Sequence, residues 1–307
     1  MLLVSIVMPG CVNENRERHD PVVKLRFEPV MHAQVRSEAA AGDPSEHDDP
    51  QSAVDEPSFG VSAWTLDETA TWDSAAASAE EFLVQKRLLR NGLFWYSESA
   101  VEWPSNRYNL TCIGFAPFEA ATECSRDRGV VFEQVDTSTD PGDLRYSEPQ
   151  TELAKSRNGG IITLPMLPAL CQLGFRVRGV SGYDDTRVYV RRIMLEGLGL
   201  RGSFCSLPAP VWELSDQRSA MTFFEGDLQV GYTPQEAGTP RRIIPQKLSG
   251  TITVEYEFET PAGNRLQQTE IRLPVQRTLD AGRQHTLTLA VSPAGVEVIP
   301  ENPTLLD

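Results

Sequence analysis

Gly197, Gly199 and Gly202 stand in the stretch EGLGLRG at the spacing G-x-G-x-x-G. In a dinucleotide site that spacing turns a strand into a helix whose first N–H groups hold pyrophosphate. Here SFCSLPAP follows, with Pro208 and Pro210 where such a helix has to begin, so the glycines read as a strand end. Histidine is scarce. His19, His32 and His47 lie in the N-terminal region, and His285, between Gln284 and Thr286, is expected at an outward strand position. Neither a Ser-His-Asp arrangement nor a zinc set can be assembled from these residues. Of the five cysteines, Cys112, Cys124, Cys171 and Cys205 show no C-x-x-C spacing. Cys112 and Cys171 fall inside apolar strand patterns and read as buried free thiols. If an exported chain of this kind forms any bridge, Cys112 and Cys124 are the pair. No catalytic residue, cofactor site or metal site is assigned, and the chain is not expected to be an enzyme.

The fifth cysteine, Cys11, ends an apolar run, MLLVSIVMPG. That run falls short of the ~20 apolar residues a membrane span needs. An apolar core followed by a small residue is the pattern of a secretory signal. Gly10-Cys11 resembles the lipobox of a bacterial lipoprotein, whose cysteine thiol is lipidated and becomes the mature N-terminus. A plain signal peptide with an incidental cysteine is the alternative. The basic residues expected before the core are missing, as if the start codon lay upstream. The formal net charge of −15 over 307 residues argues against nucleic acid and anionic lipid surfaces as partners. A hydrophobic content of 40% in a chain of this length suffices for two cores of ordinary size.

The elements that would position these residues are strands. In Thr251 to Phe258, TITVEYEF, Ile252, Val254, Tyr256 and Phe258 alternate with Thr and Glu, giving one wet and one buried face. Leu173, Phe175 and Val177, then Ile271, Leu273 and Val275, then Leu287, Leu289 and Val291 repeat the pattern. Turn signals such as Pro261-Ala262-Gly263-Asn264 and Asp280-Ala281-Gly282 separate them at short intervals, as in antiparallel sandwiches. The segment SAAASAEEFLVQKRLLR, Ser74 to Arg90, has helical composition. Asn91-Gly92 argues for a type I′ hairpin instead, with arms Phe82 to Arg90 and Leu93 to Ser97. Near the start, Val23, Leu25 and Phe27 alternate with Lys24 and Arg26 in a strand pattern running Val22 to Val35. Behind it, SEAAAGDPSEHDDPQSAVDEPS, Ser37 to Ser58, reads as an acidic flexible loop.

The motifs FGVSAW at Phe59 to Trp64, Trp103-Pro104, Phe115-Ala116-Pro117, GDLRYSEP at Gly142 to Pro149, IITLPMLPALCQLGFRV at Ile161 to Val177, IIPQ at Ile243 to Gln246 and DAGRQHTLTLAVSPAGVEV at Asp280 to Val298 occur in that order. In this order and spacing they resemble the fimbrillin family of Bacteroidales, the type V pilins and their accessory subunits, over nearly the whole chain. The resemblance implies an all-β chain of two transthyretin-like antiparallel β-sandwich domains in tandem. A lipoprotein signal would occupy 1–11, and the N-terminal strand and acidic loop 12–58. The N-terminal sandwich would occupy 59–158, with the strand 22–35, and the C-terminal one 159–307. It further implies a structural or accessory subunit, tip or anchor, of an adhesive fimbria, lipid-anchored at the outer membrane and cell surface. Other fimbrial subunits would be partners by β-strand exchange. In the family an arginine-specific protease releases the N-terminal strand, which places the cut at Arg36 here; a strand that stays paired, as in an uncleaved anchor, is the alternative. The tail VIPENPTLLD lacks the aromatic strand of many stalk members. Asp73-Ser74-Ala75 resembles a short O-glycosylation signal of exported Bacteroidota proteins, whereas the sequon Asn109-Leu110-Thr111 falls mid-strand. A second functional reading is a stand-alone surface lipoprotein that binds host protein or glycan through Trp64, Trp72 and Trp212.

Replacing Cys11 by Ser is expected to abolish metabolic lipid labelling, because the thiol is the acceptor. Unchanged labelling would refute lipidation at this position.

Overall fold

In a β-rich chain the question is where every strand edge finds its partner. The computed structural model describes residues 22–31, 58–105, 107–182, 186–260, 262–265 and 269–306. Up to the middle of the chain the strands are β1 (Arg26–Met31), β2 (Phe59–Asp67), β3 (Glu80–Asn91), β4 (Phe94–Ser97), β5 (Tyr108–Ala116), β6 (Glu123–Ser125), β7 (Gly129–Asp136), β8 (Arg145–Tyr146), β9 (Gln150–Leu153) and β10 (Ile161–Pro168). After Ala169-Leu170 come β11 (Cys171–Gly179), β12 (Arg187–Leu198), β13 (Arg201–Cys205), β14 (Val211–Leu214), β15 (Ser219–Gln229) and β16 (Gln235–Glu236). The remainder are β17 (Arg241–Ile243), β18 (Gln246–Glu259), β19 (Thr269–Leu279), β20 (Arg283–Ser292), β21 (Gly295–Pro300) and β22 (Thr304–Leu305). Helix is confined to short turns such as α1 (Trp72–Ala75) and α2 (Lys155–Asn158). The chain is all-β, of sandwich type.

The first sheet closes on itself. Its pairing runs β2-β3-β4-β1-β10-β8-β5, and β5 returns to β2, with β9 added beside β5. The expected hairpin is present: Asn91 pairs with Phe94 and Leu88 with Ser97 around Gly92, which takes φ +64°. The helical composition of Ser74 to Arg90 yields only α1 and a 3₁₀ turn at Ala76–Ser78 before β3 begins. Pairing across the sheet decides the conformation of the rest over local propensity.

The second half is a sandwich of two sheets. One has β11 beside β20, with β16 and β17 on the other side of β11 and β21 and β22 beyond β20. The other runs β15-β12-β18-β19, and Phe175, Leu195, Val254 and Leu289 fill the space between them. The alternation read in TITVEYEF holds, with Ile252, Val254, Tyr256 and Phe258 all buried. The opposite, solvent-facing side carries an ion-pair lattice. Arg191 contacts Glu257 at 2.7 Å and Asp227 at 3.0 Å, and Arg187 contacts Glu259 at 3.0 Å. The Arg265 guanidinium lies 4.2 Å from the centre of the Tyr189 ring.

A smaller sheet, β14-β13-β7-β6, ties the halves together, because β13 pairs with β7 through Phe204 and Phe132. Phe204 is ringed by Phe132, Tyr146 and Trp212 at centroid distances of 5.8, 5.0 and 5.3 Å. The G-x-G-x-x-G glycines lead from the end of β12 into β13 of this sheet and serve the backbone. Gly197, at φ +92°, sits at a register shift in β12, and a Cβ there would lie 2.7 Å from the Ser249 carbonyl oxygen. Hydrogen bonding also crosses the line drawn at residue 158/159: β10 belongs to the first sheet, and β13 reaches back to β7.

One expectation is refined and one is corrected. The sandwiches are not purely antiparallel, because β1 runs parallel to β10 and β11 parallel to β20. Each of these pairs brings an early strand of its half beside a late one, which requires a long crossover in place of a hairpin. His285 does not point outward; it is only 1% exposed. β20 is flanked on both sides within its sheet, and Thr286 and Thr288 on its other face are buried too, so polar neighbours in the sequence do not mark a wet face there. His285 Nε2 accepts the Asp280 N–H at 3.0 Å.

Burial is the main cause that holds the His285 pKa below its ordinary 6.5, and the nearby Arg277 and Arg283 act in the same direction. The unfolded chain therefore binds this proton more readily, so the stability contributed by neutral His285 is present above about pH 6.5 and is lost as pH falls below it. Thermal melts between pH 7.5 and 5 should show a falling Tm, and His285→Gln should flatten that slope. An identical slope in the variant would place the titration elsewhere.

Candidate functional site: the seat of the N-terminal strand

Among the described residues no group of His, Cys, Asp and Glu could hold a metal ion. The four described cysteines are free thiols. Cys112 belongs to the core around Phe27 and Cys124 to the one around Phe204, so this pair does not bridge. Burial pushes the Cys124 and Cys171 thiols up to about 12 and Cys112 higher still, which makes them poor nucleophiles. In the sequon, Asn109 donates to the Glu68 carbonyl at 3.2 Å and Thr111 is fully buried. Ser74 is exposed on α1, with its hydroxyl 2.7 Å from that of Thr71.

The tryptophans do not form a binding platform. Trp64, Trp72 and Trp103 are buried, Trp95 is half-buried against Phe59 at 4.8 Å, and Trp212 donates its indole N–H to the Ala169 carbonyl at 2.8 Å. The cleft beside the junction of the halves, about 250 Å³, is lined by Asp143, Arg145, Gln172 and Arg242. Its two arginines are already engaged by Asp143 at 2.7 Å and Asp140 at 3.1 Å.

What distinguishes the molecule is how β1 is held. The alternation in VVKLRF survives in three dimensions: Leu25 and Phe27 are 3% and 0% exposed, while Lys24 faces solvent. Arg26 to Met31 pair in parallel with Ile161 to Met166 of β10. On the other flank Phe27 pairs with Trp95 of β4, Leu25 N–H donates to the Val101 carbonyl at 2.8 Å, and Trp103 N–H donates to the Val23 carbonyl at 2.8 Å. β1 is thus the link between β4 and β10 in the sheet circuit. Its side chains pack in one core with Phe59, Leu88, Trp103, Ile162 and Leu164.

The approach is close at Gly160. At φ +84° this residue turns its carbonyl to accept the Arg26 N–H at 2.8 Å, and a Cβ would lie 2.5 Å from Val23 Cγ1 and 2.7 Å from the Lys24 oxygen. The Arg26 guanidinium donates to the Gly159 carbonyl at 3.3 Å and lies 5.1 Å from the centre of the Phe94 ring. Sequence reasoning found Leu25 and Phe27 but missed Phe94, Gly159 and Gly160 as parts of the seat. The Gly-Gly dipeptide after Asn158 was the available signal, since such a pair marks positive φ or close approach. Cys11 and Arg36, the two site residues assigned from the sequence, lie outside the described residues, as do 32–35 of the expected strand.

Burying Leu25 and Phe27 contributes roughly 1.5–3 kcal/mol each, and each ladder hydrogen bond adds about 1 kcal/mol net. Together these approach the ~5–15 kcal/mol stability of a whole domain. Phe27→Ala is therefore expected to cost about 3–5 kcal/mol in urea unfolding, and Lys24→Ala less than about 0.5 kcal/mol. Equal effects of the two substitutions would mean that β1 is not part of the core.

No family model matches this sequence, and no curated protein does. The fold does have solved counterparts. A fimbrial protein from Bacteroides vulgatus ATCC 8482 superposes with a TM-score of 0.70 at 14% identity, covering 93% of this chain and 100% of that one. Two structures described as putative cell adhesion proteins are also similar. The one from Bacteroides uniformis ATCC 8492 has a TM-score of 0.54 at 13% identity, covering 94% and 100%; the one from Bacteroides ovatus ATCC 8483 has 0.53 at 12%, covering 94% and 99%. At these identities the shared property is the fold.

Proposed function

We propose that this chain is a structural or accessory subunit of a surface fimbria, without enzymatic activity. In this reading it is exported as a lipoprotein through Cys11 to the outer membrane and joins neighbouring subunits by exchange of the strand at the β1 seat. The observation that carries the reading is that β1 fills a gap between β4 and β10 and lies in the core, while residues 32–57 separate it from β2 in the sequence. Removing it would leave two unpaired strand edges above an apolar floor, the arrangement that β-augmentation fills. The fold shared with a fimbrial protein supports the same reading. The alternative, a surface binder working through Trp64, Trp72 and Trp212, loses its support because those rings are packed.

Limited digestion with an arginine-specific protease should cut at Arg36 before the arginines of the sheets. The cleaved protein should then lose β1 and become less stable or begin to associate. Arg36→Ala should block the cut and keep the protein monomeric. A cleaved protein that stays monomeric with an unchanged Tm would refute strand exchange at this seat.

A further inference from the structure

The β1 seat makes polar contacts as well as apolar ones, and those contacts discriminate. Between the two apolar anchors Leu25 and Phe27, the Arg26 side chain meets the Gly159 carbonyl oxygen and the face of Phe94. A carbonyl oxygen and an aromatic face both present negative potential, so they favour a cation and disfavour a carboxylate. The left-handed Gly159 and Gly160, at φ +56° and +84°, turn both carbonyls toward the strand. Among the described residues no carboxylate forms an ion pair with Arg26. The preference for a base therefore comes from the rim of the seat.

We infer that the seat is a selective docking site for an extended strand of another protein carrying an apolar–basic–apolar triplet. The strand would run parallel to β10, with the basic side chain over Phe94. This inference rests on the strand-exchange reading and narrows it to a partner chemistry. A second copy of this chain could offer only its own β1, which already fills its own seat. Outside β1, the apolar–Arg–apolar triplets centred on Arg145, Arg176 and Arg272 belong to β8, β11 and β19, each already paired in its own sheet. Specificity at such a site is a difference between occupants, and a carboxylate at the Arg26 position brings repulsion as well as the loss of a contact.

The test uses full-length protein carrying Phe27→Ala, which loosens the resident strand, with wild-type protein as a second host should that variant fold poorly. Fluorescein-labelled peptides spanning Val22 to Met31 are added, with Arg, Lys or Glu at the Arg26 position, and incorporation is read by fluorescence anisotropy. The Arg and Lys peptides should seat comparably, and the Glu peptide about tenfold more weakly or worse. In a Phe94→Leu host the gap between the Arg and Glu peptides should narrow. Equal seating of the Arg and Glu peptides would overturn the selectivity while leaving strand exchange intact. If no peptide seats in either host, strand exchange fails and the inference fails with it.

Discussion

A strand edge inside a folded protein must find a partner for its N–H and C=O groups, and in this molecule one strand meets that requirement for two others. β4 and β10 do not pair with each other; β1 lies between them and closes the circuit. The core beneath is assembled on the same condition, because Phe27 is fully enclosed among residues from β2, β3, β5 and β10. The glycine pair before β10, the cation–ring contact at Phe94 and the bond from Trp103 N–H to Val23 follow from fitting that one strand closely.

The second half repeats the arrangement with a different attachment. β11 stands between a parallel partner, β20, and the antiparallel β16 and β17, much as β1 stands between β10 and β4. β11 follows β10 after only Ala169 and Leu170, both buried, so this strand is fixed to its neighbour in sequence as well as in the sheet. The junction between the halves is reinforced from three directions. Phe204 lies among the aromatics of the first half, the Thr137 N–H donates to the Leu200 carbonyl at 2.8 Å, and Arg242 reaches Asp140 at 3.1 Å. Such a junction holds the two halves together through packing and hydrogen bonds combined.

Much of this was legible in the sequence, and the parts that were not share a cause. Alternation exposed the buried faces of β11, β18 and β20 and the anchors of β1, because period two is a local signal. Asn91-Gly92 identified a hairpin that the helical composition of its first arm would have hidden. Alternation says nothing of which strand lies beside which, so the parallel pairs were missed. The burial of His285 was missed for the same reason, since it depends on β20 being an inner strand. Phe94, Gly159 and Gly160 belong to the seat only through long-range pairing. The single contact of the guanidinium with a ring could not be read from residues that far apart in the chain.

The two-residue link at Ala169-Leu170 has a mechanical meaning. A strand held at the β1 seat lies along β10, and β10 continues through the link into β11, which lies along β20. Tension applied along the strands of either parallel pair slides them lengthwise, so the hydrogen bonds of a pair bear the load together. Force applied across a hairpin end would open its bonds one after another. In either parallel pair a pull along the strands would therefore be borne in shear, by six paired positions at β1–β10 and eight at β11–β20.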